Sequence, residues 1–128
     1  MAIAEVTASI SYSERTKVGS VIVVDNGIIS TGYNGKPKGQ DNCCEIMVDD
    51  KLVTSPLVIH SEINALSRIR ERNLSCVGGS MFQTLSPCVN CSNEIIKSGI
   101  DSVFYRDSYR DDSGIKLLIA NNINVSKV

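Results

Sequence analysis

Apolar and polar positions alternate along the chain with two periods, and these lay out the elements. Residues 3–11 carry apolar side chains at Ile3, Val6 and Ile10, a helical spacing. Residues 18–24 are mostly β-branched and apolar. Asp25-Asn26-Gly27 then supplies turn chemistry, with Asn-Gly tolerating positive φ, and an extended pattern resumes over 28–33. This predicts a hairpin. Gly35 to Gly39, with Pro37 between them, breaks regular structure, and from there to about Val58 the sequence is polar and irregular. A stretch of that kind inside a small domain commonly acts as a lid or a binding loop.

Helical periodicity returns over 60–72, with Ile63, Leu66 and Ile69 on one face. Residues 80–85 read as a strand, 88–97 as a helix stopped by Gly99, 100–105 as a strand, 114–121 as a helix and 123–128 as a last strand. The resulting order is α-ββ-α-β-α-β-α-β. Strands separated by helices pair in parallel through crossovers, so the pattern predicts one three-layer α/β/α domain over residues 1–128 on a mixed five-stranded sheet.

Composition narrows the function classes. Apolar runs such as Val21 to Val24 fall far short of the roughly 20 residues that cross a bilayer, so no membrane role is expected. Residues 1–10 contain no Lys or Arg and lack the basic start of a secretion signal, from which a cytoplasmic location is expected. A net charge of −1 argues against a nucleic-acid polymer as partner and for a small nucleotide, which needs only two or three local cations. Five cysteines, an odd number, speak against a disulfide framework.

The one histidine, His60, stands two residues before Glu62 and 28 before Cys88 in Pro87-Cys88-Val89-Asn90-Cys91. H-x-E followed by P-C-x-x-C is the signature of zinc-dependent nucleobase deaminases. One imidazole and two thiolates leave the fourth tetrahedral position of Zn²⁺ to water, the arrangement of a catalytic site. Both halves fall at predicted helix starts, where free N–H groups favour thiolate over thiol. Glu62, left off the metal, is the candidate proton shuttle, moving a proton from the attacking water to ring N3 of a cytosine and then to departing ammonia. The alternative is a closed structural site, with Cys43, Cys44 or Cys76 as fourth ligand. Cys43-Cys44 reads as loop packing or, with Glu45 or Asp41, as a second zinc site. Lys36 and Lys38, among Gly32, Gly35 and Gly39, suit either a phosphate loop or solvated charge. Tyr105-Arg106-Asp107-Ser108-Tyr109-Arg110 follows a strand end, where open α/β sheets hold ligands.

From about Lys17 onward the chain resembles the deoxycytidylate (dCMP) deaminase family of the cytidine deaminase superfamily. The resemblance is carried by Gly32-Tyr33-Asn34-Gly35-Lys36-Pro37-Lys38-Gly39, His60-Ser61-Glu62, Pro87-Cys88-Val89-Asn90-Cys91 and Asp107-Ser108-Tyr109. It implies a cytidine deaminase-like fold and zinc-dependent conversion of dCMP to dUMP in dTMP precursor synthesis. It further implies a homo-oligomer, commonly a hexamer, activated by dCTP with Mg²⁺ and inhibited by dTTP. Carried over by position, His60, Cys88 and Cys91 hold zinc, Glu62 shuttles the proton, Asn34 meets the sugar and Tyr109 stacks on the base. Arg110 and Arg15 meet the phosphate, and Gly32, Tyr33, Asn34, Gly35 and Lys36 form the effector-nucleotide site. Ser61 stands where the family usually has alanine. The small size is similar to phage-encoded members, for which the location is the host cytoplasm. The competing readings are a tRNA adenosine deaminase and a non-catalytic zinc-stabilised scaffold.

Overall fold

The β-branched run near the front of the chain pairs with the run that follows it, and the rest of the sheet grows from that hairpin. In the computed structural model, which describes every residue except Lys38 and Gln40, the elements begin with α1 (Ala2–Ser9), β1 (Gly19–Val24), β2 (Gly27–Tyr33), β3 (Glu45–Val48) and β4 (Lys51–Thr54). They continue with α2 (Ser61–Glu71), β5 (Ser80–Leu85), α3 (Val89–Ser98), β6 (Ser102–Asp107), α4 (Ser113–Ala120) and β7 (Asn124–Lys127). Five strands form one mixed sheet in the order β2-β1-β5-β6-β7, as the pattern predicts. β1 is antiparallel to both β2 and β5, whereas β5, β6 and β7, each separated by a helix, run parallel. No helix among the described residues is long and apolar enough to cross a membrane.

Strand alternation sorts the helices into two layers. Gly19 of β1 lies against Ala4 and Ala8 of α1 with no room for a Cβ. Its neighbours Ser20 and Ile22 therefore point to the other face. There Ile22, Met81 and Val103 pack with Ala65, Leu66 and Ile69 of α2, Ile95 of α3 and Leu118 of α4. Fully burying a side chain such as Leu118 contributes about 1.5–3 kcal/mol. This one-sided core fixes how α2 and α3 sit on the sheet, and the starts of those two helices carry the H-x-E and P-C-x-x-C motifs. Gly99 closes α3 with φ 86°, the left-handed cap expected at that glycine.

Three expectations shift. The tight turn between β1 and β2 uses Asp25 (φ 51°) and Asn26 (φ 64°), one residue earlier than the Asn-Gly pair, because Gly27 already pairs with Val24. The stretch 40–58 is not irregular throughout: β3 and β4 form a separate hairpin turned at Asp49 (φ 50°) and Asp50 (φ 61°). β6 sits two residues later than the sequence suggests, since its parallel pairing runs on to Leu85↔Asp107.

Candidate metal centre and substrate cavity

Two helix starts meet to make the site. His60 is the N-cap residue of α2 and Cys88 that of α3, each in extended backbone, and Cys91 lies one turn into α3. The α2 start is held from behind. Gly32 of β2 packs so closely on Ser61 and Ala65 that a Cβ would strike the helix backbone. Asn64 Nδ2 donates to the Tyr33 carbonyl at 2.8 Å. Gly35 and Ile59 exchange two backbone hydrogen bonds, Gly35 N to Ile59 O at 3.1 Å and Ile59 N to Gly35 O at 2.8 Å.

His60 Nδ1 lies 3.3 Å from Cys91 Sγ and 3.6 Å from Cys88 Sγ. All three donor atoms fall within 4.8 Å of one another. Tetrahedral zinc, with Zn–N near 2.0–2.1 Å and Zn–S near 2.3 Å, separates nitrogen from sulfur by roughly 3.6 Å, so this donor set fits the ion. No other His, Cys, Asp or Glu trio with this proximity occurs among the described residues. Cys43, Cys44, Asp41 and Glu45 face separate partners. Cys43 Sγ meets the Glu45 carbonyl, Cys44 Sγ the Asn42 carbonyl, and Asp41 binds Lys36. The Glu45 carboxylate turns towards residues 13–15.

The Cys91 thiol donating to Cys88, the neighbouring His60 and the Cys91 backbone N–H hold the Cys88 thiol down to about 4. That same bond to Cys88, together with burial and the adjacent Glu62 carboxylate, pushes Cys91 far above the usual thiol range. The Cys88 sulfur, followed by the Glu62 charge, raises His60 despite its partial burial. An ion replaces these protons, because only deprotonated donors bind metal.

Glu62 is 3% exposed and lies outside the donor trio. Its Oε1 accepts a 2.6 Å hydrogen bond from Ser61 Oγ, which is itself 2.6 Å from Ser20 Oγ. Ser61 has one hydroxyl proton and spends it on the carboxylate, so Ser20 donates to Ser61. In the sequence Ser61 registers only as a departure from the family's usual alanine, and the buried chain is missed. Its signal is a serine at each of two positions that strand and helix periodicity both direct inward.

A cavity of about 560 Å³ opens beside these groups, lined by His60, Glu62 and Cys88 together with Arg15, Asn34, Tyr109 and Arg110. All four residues expected to meet substrate thus share one hollow with His60 and Cys88 of the candidate donor set. Ser86 Oγ accepts the Tyr109 backbone N–H at 2.7 Å, which fixes the loop after β6. Asn34 is already engaged: its Oδ1 accepts from Val18 N at 2.9 Å and its Nδ2 donates to the Thr16 carbonyl at 2.8 Å. One amide proton and one carbonyl lone pair remain for a ligand. Arg106 belongs to β6 and pairs with Asp107 and Glu5 away from the cavity.

The residues expected to hold an effector are arranged differently. Gly32, Tyr33 and Gly35 brace α2 as described, and Lys36, its side chain only 10% exposed, pairs with Asp41 at 3.0 Å and does not line the cavity. Lys38, the other cation of the expected phosphate loop, lies outside the described residues.

Residues 1–107 match the family described as the cytidine and deoxycytidylate deaminase zinc-binding region. ComE operon protein 2 of Bacillus subtilis is 33% identical over 113 residues, which cover 86% of this chain and 58% of that protein. The deoxycytidylate deaminase of Mycobacterium phage D29 is 35% identical over 116 residues, 82% of this chain and 89% of the phage protein. Among solved structures, dCMP deaminase from the cyanophage S-TIM5 in complex with dCMP and dUMP superposes with a TM-score of 0.93 at 37% identity. That match covers 99% of this chain and 92% of the cyanophage chain. Sequence, fold and donor set agree, and this chain belongs to the cytidine and deoxycytidylate deaminase family.

Proposed function

We propose that this protein catalyses the hydrolytic deamination of dCMP to dUMP and ammonia. The observation that carries the reading is the shared cavity: two arginines, an asparagine and a tyrosine stand in the same hollow as Glu62 and two of the three zinc-type donors, His60 and Cys88. A nucleoside monophosphate needs that combination, a cationic end for the phosphate and a stacking ring near the reacting centre. Supporting it, a cyanophage protein that superposes over 99% of this chain was crystallised with dCMP and dUMP.

His60, Cys88 and Cys91 would hold the ion, and a bound zinc would supply Lewis acidity that brings the pKa of a coordinated water towards 7. The remaining chemistry belongs to the chain. Tyr109 stacks on the cytosine and Asn34 offers its free amide proton to the sugar. Arg15 and Arg110 clamp the phosphate, so that C4 faces the donor set. Ser61 holds Oε1 of Glu62 and fixes the carboxylate beside Cys91. Glu62 takes a proton from the attacking water and delivers it to ring N3. It then carries the second proton to the amine, and C–N cleavage releases ammonia and leaves the C4 carbonyl of dUMP. Atoms balance as dCMP plus water giving dUMP plus ammonia.

The same reading includes activation by dCTP with Mg²⁺, inhibition by dTTP, a hexameric assembly and a cytoplasmic location, host cytoplasm if the chain is phage-encoded. These rest on the resemblance to the family. For Lys36 to serve an effector phosphate, it must exchange Asp41 for that ligand.

Ultraviolet absorbance follows the loss of cytosine directly. Purified protein supplied with dCMP, CMP, deoxycytidine or an adenosine-containing RNA hairpin, each with and without dCTP, should turn over dCMP best and faster with dCTP. Turnover of the hairpin alone would assign the site to RNA instead.

A further inference from the structure

The chain between α1 and β1, which carries Arg15, has no regular structure of its own. Asn34 holds Thr16 and Val18 at its far end, and a carboxylate 30 residues from Arg15 gathers the stretch around Arg15 itself. Glu45, the first residue of β3, is 6% exposed, and its Oε1 accepts from Ser13 Oγ at 2.8 Å, Glu14 N at 2.8 Å and Arg15 N at 3.1 Å. Successive backbone N–H groups curled round one oxygen form an anion-binding nest, here filled by the protein's own side chain. Burial works against the charge, but the Ser13 hydroxyl, the two backbone N–H groups and the Arg15 charge outweigh it and leave the carboxyl below its usual range. The hairpin also meets the other end of Arg15. Thr54 of β4, the register partner of Glu45, receives Arg15 Nη1 at 3.4 Å and lines the cavity. One pair of facing residues therefore clasps Arg15 at its backbone and at its guanidinium.

We propose that Glu45 is a positioning residue for nucleotide recognition: by gathering Ser13, Glu14 and Arg15 it sets the Arg15 guanidinium at the cavity and makes the β3–β4 hairpin a determinant of 5′-monophosphate binding. The inference rests on the reading that Arg15 meets the phosphate of dCMP. It assigns the hairpin a function that its exposed position does not suggest, because the hairpin contributes no group to the chemistry at C4.

The test compares kcat and KM for dCMP, inhibition by dUMP, and zinc content in the wild type, Arg15→Ala, Glu45→Ala, Glu45→Gln and the Arg15→Ala/Glu45→Ala double variant. Loss of charge-assisted hydrogen bonds predicts that Glu45→Ala raises KM and the dUMP inhibition constant together by roughly 10- to 100-fold, with kcat and bound zinc unchanged. Glu45→Gln keeps an acceptor oxygen but loses its charge, so KM and the dUMP inhibition constant should rise only a few-fold at unchanged kcat; that partial loss, absent if the positioning role is wrong, carries the test should Glu45→Ala not fold. In the double variant the second substitution should add nothing to Arg15→Ala. If Arg15→Ala binds dCMP normally, the phosphate reading fails. If Arg15→Ala weakens binding but both Glu45 variants match the wild type, or if Glu45→Ala lowers kcat and zinc content along with affinity, the positioning role is wrong.

Discussion

Replacing Glu62 with glutamine separates its chemistry from its structural duties. The side chain is 3% exposed and its Oε1 accepts the Ser61 hydroxyl. Glutamine has nearly the same volume and keeps an acceptor at that position, so the buried Ser20–Ser61 chain stays satisfied. Glu62 lies outside the donor trio, and metal binding should survive. What disappears is the capacity to accept and return a proton. General acid–base steps contribute about 10²- to 10⁴-fold in rate, or about 2.7–5.4 kcal/mol of barrier. The assay is dCMP turnover by ultraviolet absorbance, with zinc content and the thermal midpoint measured on the same preparation. We expect kcat to fall by about 10²- to 10⁴-fold, KM to change only a few-fold, and zinc and midpoint to match the wild type. A zinc-loaded variant that keeps near wild-type kcat would refute the proton-shuttle role.

Other predictions follow from the same geometry. In metal-free protein at pH 6, Cys88, held down to about 4, is a thiolate, whereas Cys91 keeps its proton. Iodoacetamide should therefore label Cys88 first, and zinc should block it; mass spectrometry reads both. His60 in the metal-free protein is raised above 6.5, so acid loads it with a proton that zinc must displace. Zinc loss during dialysis should accelerate as pH falls from 8 to 5, measured by metal analysis. Gly32→Ala would drive a methyl into the backbone of α2 beneath His60 and Glu62. Overpacking of this kind costs about 1–3 kcal/mol, so urea unfolding should shift to lower midpoints and activity should fall with it.

The sheet and the metal centre were both readable because each depends on short-range pattern. Alternation over Ile22, Met81 and Val103 marks the strands, and the spacing of His60, Glu62, Cys88 and Cys91 is local within two segments. The β3–β4 hairpin escaped that reading. Its strands are four residues each, Ile46-Met47-Val48 is apolar without alternation, and Asp49-Asp50 lacks the usual Asn-Gly turn signal. Glu45 was legible only as a loop acid beside two cysteines, since its partners Ser13, Glu14 and Arg15 lie about 30 positions away. Lys36 was legible only as a choice between two roles. Its glycine-rich surroundings suit a phosphate-binding cation or a solvated charge alike, and the pairing with Asp41 is visible only in the tertiary structure. Polar pairings set by the fold leave little trace in local sequence, whereas burial patterns and helix-start chemistry leave a great deal.

Zinc-edge X-ray absorption on the purified protein tests the central claim most directly. The account predicts one zinc per chain with two sulfur neighbours, one imidazole nitrogen and one light oxygen neighbour whose signal changes when dUMP is added. A metal-free protein, or zinc enclosed by four side-chain ligands and indifferent to nucleotide, would contradict it.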